Sequence, residues 1–265
     1  NTKVNKNLNS NSMSASKGKT KTNLALDLGF LNRIESADAW KLGSRFFPSK
    51  VGGYPSWLHL SSLPFVDQIQ CGSCDKLTSF LCQLYAPIES RSDEALAART
   101  FHRTLFVFVC RDPTCHSKND ASKTFRVFRC QLPRRNGFYP FEPFVERADW
   151  RPELTAENFT SLCRLCGCFG DKSCGGCKKV KYCSKDHQMK DWKSGGHKEE
   201  CKSGNVATAV PLDRSSRNAF LLPEFELEIE PEEANDDDES EDDSEDDEDA
   251  DLKELGDDLK DKTAL

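Results

Sequence analysis

Three stretches concentrate β-branched and aromatic residues between polar breaks: FLCQLYAPI (80–88), RTLFVFVC (103–110) and TFRVFRCQL (124–132). Each is bounded by Gly, Pro or Asp, so each reads as a strand, and together they predict a β-dominated domain over residues 24–150. Helical periodicity is scarce, and only short helices are expected, around 38–42 and 92–99. A bridge containing Pro, Glu and Arg (143–152) leads into residues 151–203, where apolar positions are too sparse to build a core. After a polar linker (204–222), the run PEFELEIEP sets Phe225, Leu227 and Ile229 against alternating glutamates. That alternation predicts one edge strand over 223–231, a partner-binding surface able to add to a sheet. Residues 1–23 and 232–265 hold too few apolar side chains to offset the entropy of ordering and are expected to be disordered tails.

Charge divides the chain where hydropathy does not. The net charge of −7 conceals a segment, 224–262, with 23 acidic residues against three lysines, so the remainder carries about +13. The run NDDDESEDDSEDDEDAD within it is low-complexity acid that repels itself and stays extended. Asp242 and Asp243 at its centre are candidate contacts for a basic partner. Neither an N-terminal signal nor an apolar run near the roughly 18 residues of a membrane span is present, and no membrane partner is expected. The 13 cysteines are an odd number gathered in C-x-x-C pairs, which suits a reduced environment and metal ligation better than a disulfide framework.

The densest chemistry lies in CRLCGCFGDKSCGGCKKVKYCSKDHQMKDWKSGGHKEEC, residues 163–201. Ligand-capable side chains pair as Cys163 with Cys166, Cys174 with Cys177, Cys183 with His187, and His197 with Cys201. Each C-x-x-C can form a knuckle around one ion, and each pair spaced by four lies on one face of a short helix. Two tetrahedral Zn²⁺ sites use all eight residues and leave Cys168 over. Mixed thiolate and imidazole sets of four favour zinc, and both sites are closed, with no position for substrate or water. A segment this short folds around its metals, so the ligands serve folding. Spacing alone leaves open whether the pairs combine sequentially or interleave.

The order C-x2-C-x7-C-x2-C-x4-YC-x3-H-x9-H-x3-C resembles a MYND zinc finger, with His187 where many such fingers have a cysteine. The resemblance implies interleaved ligation: Cys163, Cys166, Cys183 and His187 on one ion, Cys174, Cys177, His197 and Cys201 on the other. It also implies binding of short proline-containing peptides, and the finger's nine basic against five acidic residues suit acidic flanks on such a peptide. A finger that only docks on its own chain is the alternative.

Upstream, CGSC (Cys71, Cys74) and CRDPTC (Cys110, Cys115) bracket two predicted strands, the arrangement of a zinc ribbon, and predict a third, four-cysteine site. His116 is a competing ligand there. Cys82 and Cys130 lie inside apolar strands and read as small buried hydrophobes. His59 and His102 read as surface or packing residues. No Ser/His/Asp order, glycine-rich phosphate loop or paired carboxylates in a structured segment occurs, so no catalytic site is expected. No nucleic-acid recognition helix or stacking motif is evident, and nucleic-acid contact is expected to be indirect at most. The fold expectation is thus α+β and β-dominated: a zinc-ribbon-like domain with an inserted two-zinc finger.

The flanking stretches LDLGFLN, SKVGGYPSWL, FHRTLFVFVCRDPTC, FRVFRCQLPR and PEFELEIE surround the finger in the order found in the programmed cell death protein 2 family. The chain is similar to that family over about residues 24–230. The resemblance implies a nonenzymatic chaperone for a nascent small-subunit ribosomal protein of the universal S-five class, in cytoplasm and nucleus. It also implies links to cell proliferation, cell death and corepressor binding through the finger. Members of the family continue into a second cysteine-rich half, whereas no cysteine follows Cys201 here, so the chain is expected to be a fragment or a short lineage. The competing reading is a transcriptional or signalling adaptor that recruits proline-containing regulators. An enzyme reading would be a methyltransferase bearing such a finger, which needs a SET-type region absent here, or a cross-braced ubiquitin ligase, which shares interleaved zinc but has different ligand spacing.

Overall fold

The alternation in RTLFVFVC sends every second side chain inward: His102, Thr104, Phe106 and Phe108 are buried and their neighbours half-buried. This strand is the centre of a meander. The structure, a computed structural model, describes residues 26–88, 93–117, 120–143, 154–207, 218 and 220–232. The expected tails, most of the 143–152 bridge and 204–222 linker, and Asp242 and Asp243 lie outside the described residues.

In chain order the strands are β1 (Asp27–Asn32), β2 (Lys50–Val51), β3 (Ser79–Tyr85), β4 (His102–Val109), β5 (Phe125–Leu132), β6 (Lys172–Ser173), β7 (Lys181–Tyr182) and β8 (Phe225–Pro231). The helices are α1 (Glu94–Arg99), α2 (Pro113–His116), α3 (Ala121–Thr124), α4 (Lys185–Ser194) and α5 (His197–Ser203). The three predicted strands are β3, β4 and β5, and the two expected helices are a 3₁₀ turn at Ala39–Leu42 and α1. A six-stranded sheet runs in the order β1-β8-β2-β3-β4-β5, and β6 and β7 form a separate ribbon. β3, β4 and β5 pair antiparallel, with Phe106 opposite Phe128 and a bulge between Phe80 and Cys82 that re-aims β3.

The inner face of this meander carries the aromatic core. Trp57 packs 4.7 Å from Phe106, and Phe108 lies 5.5 Å from Phe80 and 5.7 Å from Phe128 in edge-on contacts. Leu58, Leu60 and Ile69 fill the space around them, and the same core continues without a break into Leu165, Val180 and Tyr182 of the cysteine-dense segment.

The expected edge strand is placed differently. Phe225–Pro231 pairs antiparallel with β2 on one side, Lys50 opposite Glu226, and has β1 as its other neighbour, so β8 is an interior strand and β1 takes the edge. Alternation of apolar and acidic residues marks a strand with one wet face, and it does not distinguish an edge from an interior position. Buried Lys50 pairs with Glu224 just ahead of β8, which fixes the strand against β2.

Candidate metal centres

The local sequence builds the finger around its ligands. Cys163 and Cys166 form a turn in which the Gly167 N–H donates to the Cys163 carbonyl at 2.8 Å, and Gly167 takes φ 72°, open to glycine. Ser184 caps α4 by accepting the His187 N–H, which starts the helix so that Cys183 and His187 face one point. Gly196, at φ 85°, turns the chain from α4 into α5 and aims His197 and Cys201 back at Cys174 and Cys177.

The result is two interleaved clusters, Cys163, Cys166, Cys183 and His187, and Cys174, Cys177, His197 and Cys201, with the ligand atoms of each within 4.8 Å of one another. In the first, Cys166 Sγ is 3.8 Å from Cys183 Sγ, and His187 Nδ1 is 3.1 Å from Cys183 Sγ and 3.6 Å from Cys163 Sγ. In the second, Cys174 Sγ is 4.0 Å from Cys201 Sγ, and His197 Nε2 is 3.2 Å from Cys174 Sγ and 3.7 Å from Cys177 Sγ. A tetrahedron with Zn–S bonds of about 2.3 Å separates its sulfurs by about 3.8 Å, so both clusters have the edge lengths of a zinc site. Both imidazoles are fully buried, and the nitrogen that faces away from the thiols, Nε2 of His187 and Nδ1 of His197, has no hydrogen-bond partner among the described residues. Phe220 packs edge-on against His187, with the ring centroids 4.4 Å apart.

The thiols are biased unequally. Burial opposes ionisation of Cys174, but hydrogen bonds from His197 and from the backbone N–H groups of Cys177 and Gly176 bring it down to about 6. Cys163 is likewise held well below the ordinary thiol range, against burial, by Cys166, Cys183 and His187. Burial and the neighbouring Cys163 push Cys166 up. A divalent cation would draw off the thiol protons as it binds.

A third cluster joins Cys71, Cys74, Cys110 and Cys115 within 4.8 Å, with Cys74 Sγ 3.7 Å from Cys110 Sγ. Antiparallel pairing explains it: Ser79 lies opposite Val109, so the knuckle before β3 and the knuckle after β4 meet at one end of the hairpin. The Ser73 N–H points at Cys71 Sγ and the Asp112 N–H at Cys110 Sγ, and Lys76 bonds Asp112 at 2.7 Å across the two knuckles. Burial opposes ionisation of Cys71, yet the N–H groups of Ser73 and Cys74 bring it to about 7, while burial and Cys74 push Cys115 up to about 12. His116 turns away, its Nε2 2.7 Å from the Cys110 carbonyl oxygen. The donor sets of all three clusters suit zinc, which would supply cross-links in place of a core.

The other sequence candidates fall outside these clusters. Cys168 is buried, with its sulfur directed at the Cys166 carbonyl. Cys82 and Cys130 are half-buried rather than buried as expected, and burial raises both thiols, the latter to about 11. His102 stacks 4.2 Å from Phe47 and meets the Tyr85 hydroxyl at 3.0 Å, and His59 Nδ1 accepts the Ser62 N–H. Phe225 and Leu227 are half-buried in β8, and Ile229 is exposed.

Sequence reasoning missed how the finger is attached. Three carbonyls of its first knuckle are capped from outside: Tyr54 Oη donates to Arg164 O at 2.9 Å, Trp57 Nε1 to Gly167 O at 2.8 Å and Asn218 Nδ2 to Leu165 O at 2.8 Å. Buried Arg164 sits 3.0 Å from Asp191 of α4 and 2.7 Å from Glu200 of α5, and Asp191 also accepts the Tyr182 hydroxyl. One arginine inside the first knuckle thus clasps the helices that carry ligands of both clusters. The tight spacing at Gly167, where a Cβ would lie 2.8 Å from the Tyr54 ring, was a signal available only in hindsight.

Comparison with known proteins agrees with this architecture. The model for the N-terminal domain of programmed cell death protein 2 matches residues 25–146, and the MYND finger model matches 163–201. Programmed cell death protein 2 of Rattus norvegicus is 42% identical over 213 residues, covering 79% of this chain and 56% of that protein. The Bos taurus protein of the same name is 43% identical over 215 residues, with 78% and 56% covered. A programmed cell death protein 2-like protein of Mus musculus is 33% identical over 88 residues, covering 33% of this chain and 21% of that protein. No solved structure matches. The chain spans a little over half the length of the curated relatives it matches most extensively. With the finger and all eight of its ligands in place, this chain matches the N-terminal domain of programmed cell death protein 2 and a MYND finger, in the order of that family.

Proposed function

We propose that this chain is a nonenzymatic, zinc-stabilised chaperone that captures a nascent basic protein of the small ribosomal subunit, of the universal S-five class, in cytoplasm and nucleus. The observation that carries the reading is an asymmetry of charge: 23 acidic residues against three lysines in 224–262, following a body of about +13. Ribosomal proteins are built to bind RNA phosphates, and an extended polyanion substitutes for them in a salt-dependent way. The closed four-ligand clusters support a binding role, because a site with every coordination position filled by protein offers none to a substrate.

Affinity purification of the chain from growing cells at low salt, followed by quantitative mass spectrometry, tests this. One small-subunit ribosomal protein should be recovered at stoichiometric level and lost as salt is raised. A second reading, an adaptor for proline-containing regulators in proliferation and cell death, draws on the finger's outer helix, where Met189 is exposed beside Lys185, Lys190 and Lys193. Recovery of proline-rich regulators instead, abolished by Cys163→Ser, would decide for that reading.

A further inference from the structure

Among the described residues, β1 is the one strand longer than two residues that is exposed along its whole length. It ends the sheet, all six of its residues are exposed, and Leu28, Phe30 and Leu31 are 42%, 47% and 54% accessible. A bare, apolar edge strand is a template for another strand and is ordinarily blunted by lysine, proline or a covering element. Among the described residues, nothing blunts this one.

The two faces at that edge differ in chemistry. Asn32 Nδ2 donates to Glu228 Oε2 at 2.8 Å, which puts Leu28, Phe30 and Asn32 on the face of Glu226, Glu228 and Glu230. A Cβ on Gly29 would lie 3.1 Å from Leu227 Cδ1, which puts Gly29 and Leu31 on the face of Leu227 and Ile229. One face is therefore acidic over an apolar row, and the other is apolar apart from Asp27 at the start of β1. Glu226, Glu228 and Glu230 form no salt bridge among the described residues, while the nearby cations Lys41 and Lys50 are engaged by Asp38 and Glu224. A cavity of about 340 Å³ opens beside this edge, lined by Phe47, Tyr85, Glu226, Leu227 and Ile229.

We propose that the β1 edge takes an extended segment of a partner protein in which lysine or arginine alternates with apolar residues, added to the sheet as a further strand. The basic side chains lie on the glutamate face, their stems over Leu28 and Phe30 and their charged ends toward Glu226, Glu228 and Glu230. The alternate apolar side chains extend the surface of Leu31, Leu227 and Ile229. Main-chain hydrogen bonds supply affinity, and the carboxylate row selects a cationic strand over a neutral one. The assignment deepens the chaperone reading and rests on it for the identity of the client.

The test uses the full zinc-loaded chain and a fluorescein-labelled eight-residue peptide alternating lysine with valine or isoleucine, followed by fluorescence anisotropy at low salt. Saturable binding is expected. It should weaken at least tenfold in Leu28→Lys/Phe30→Lys and in Glu226→Gln/Glu228→Gln/Glu230→Gln, with the zinc content of both variants unchanged. The same peptide N-methylated at alternate residues keeps its charge and apolar content but cannot pair, and it should also lose at least tenfold. Equal binding of the methylated peptide would overturn the proposal in favour of plain attraction between charges, and undiminished binding to both variants would place the contact elsewhere. Light scattering that shows a dimer made monomeric by Leu28→Lys/Phe30→Lys would give the edge to a second copy of the chain and overturn the proposal too. Carrying the variants into the cellular purification separates the two readings. A ribosomal protein recovered equally with wild type and Leu28→Lys/Phe30→Lys sinks the edge assignment and leaves the chaperone role. Edge-dependent peptide binding with no ribosomal protein recovered from wild type does the reverse.

Discussion

The meander β3–β5 and the finger at 163–201 are held together by different physics within one continuous core. The meander stacks Trp57, Phe80, Phe106, Phe108 and Phe128, so its stability scales with apolar area removed from water. The finger's regular strands are two residues each, and most of its buried side chains are ligands or the Arg164, Asp191 and Tyr182 group. What it lacks in area it must replace with bonds to ions. The contrast shows why cysteine spacing was informative in one region and hydropathy in the other.

The largest expected effect follows from that difference. A structural zinc site contributes on the order of 10–16 kcal/mol of apparent binding free energy near neutral pH, far more than any one side chain in the meander. Cys183→Ser should lower bound zinc from three ions per chain to two, with three set by the number of clusters. Amide exchange should accelerate throughout 163–201 while β4 and β5 stay protected. Equal loss of protection in both regions would mean that the meander depends on the finger, and the comparison would fail.

The reciprocal change removes area and leaves the metals. Phe108 is 1% exposed and touches Trp57, Phe80 and Phe128. Phe108→Ala should cost about 3–5 kcal/mol through lost transfer and cavity terms, lowering the melting temperature by roughly 10 °C with zinc still at three per chain by elemental analysis. Loss of the third ion would show that the hairpin's aromatic packing, through Ser79 and Val109, is what brings Cys71 and Cys110 together.

These dependences explain what was legible in the sequence. The meander strands were readable because long runs of β-branched and aromatic residues carry their own signal, and the ligands were readable because tetrahedral geometry restricts spacing. The interleaved pairing was implied only by family resemblance, since C-x-x-C pairs fit either combination until β7, α4 and α5 fold them together. β1 went unassigned because LDLGFLN has no alternation to bury: both of its faces are exposed. β8 was taken for an edge because its neighbours, two-residue β2 and distant β1, leave no trace in the local pattern. Arg164 and Trp57 were missed for the same reason, as Asp191 and Glu200 lie 27 and 36 positions from Arg164, and Gly167 lies 110 from Trp57.

Arg164 sharpens the comparison at its boundary. Its guanidinium is the only cation paired with Asp191 among the described residues, and both side chains are 4% exposed. Arg164→Ala should cost about 3 kcal/mol, because it strands a buried carboxylate that Tyr182 alone cannot satisfy. Its signature is a faster exchange of α4 and α5 relative to the first knuckle, measured with zinc in excess. Uniform exchange across the finger would show that the ions, and not the clasp, set the helix positions.

The smallest effect is the most exacting. Cys168 stands two residues from Cys166, is 1% exposed, and resembles a ligand in every respect but position, with its sulfur 3.9 Å from the Cys166 carbonyl oxygen. A buried thiol that is not a ligand behaves as a small hydrophobe, so Cys168→Ala should cost about 1 kcal/mol and leave bound zinc at three, the number of clusters. Cys166→Ala, a change of the same chemistry in the same turn, should lose an ion and with it the amide protection of 163–201. A Cys168→Ala chain that also lost an ion would mean that the knuckle can exchange ligands. Retention in one variant and loss in the other would establish that this region is specified by where its sulfurs stand rather than by how many are buried.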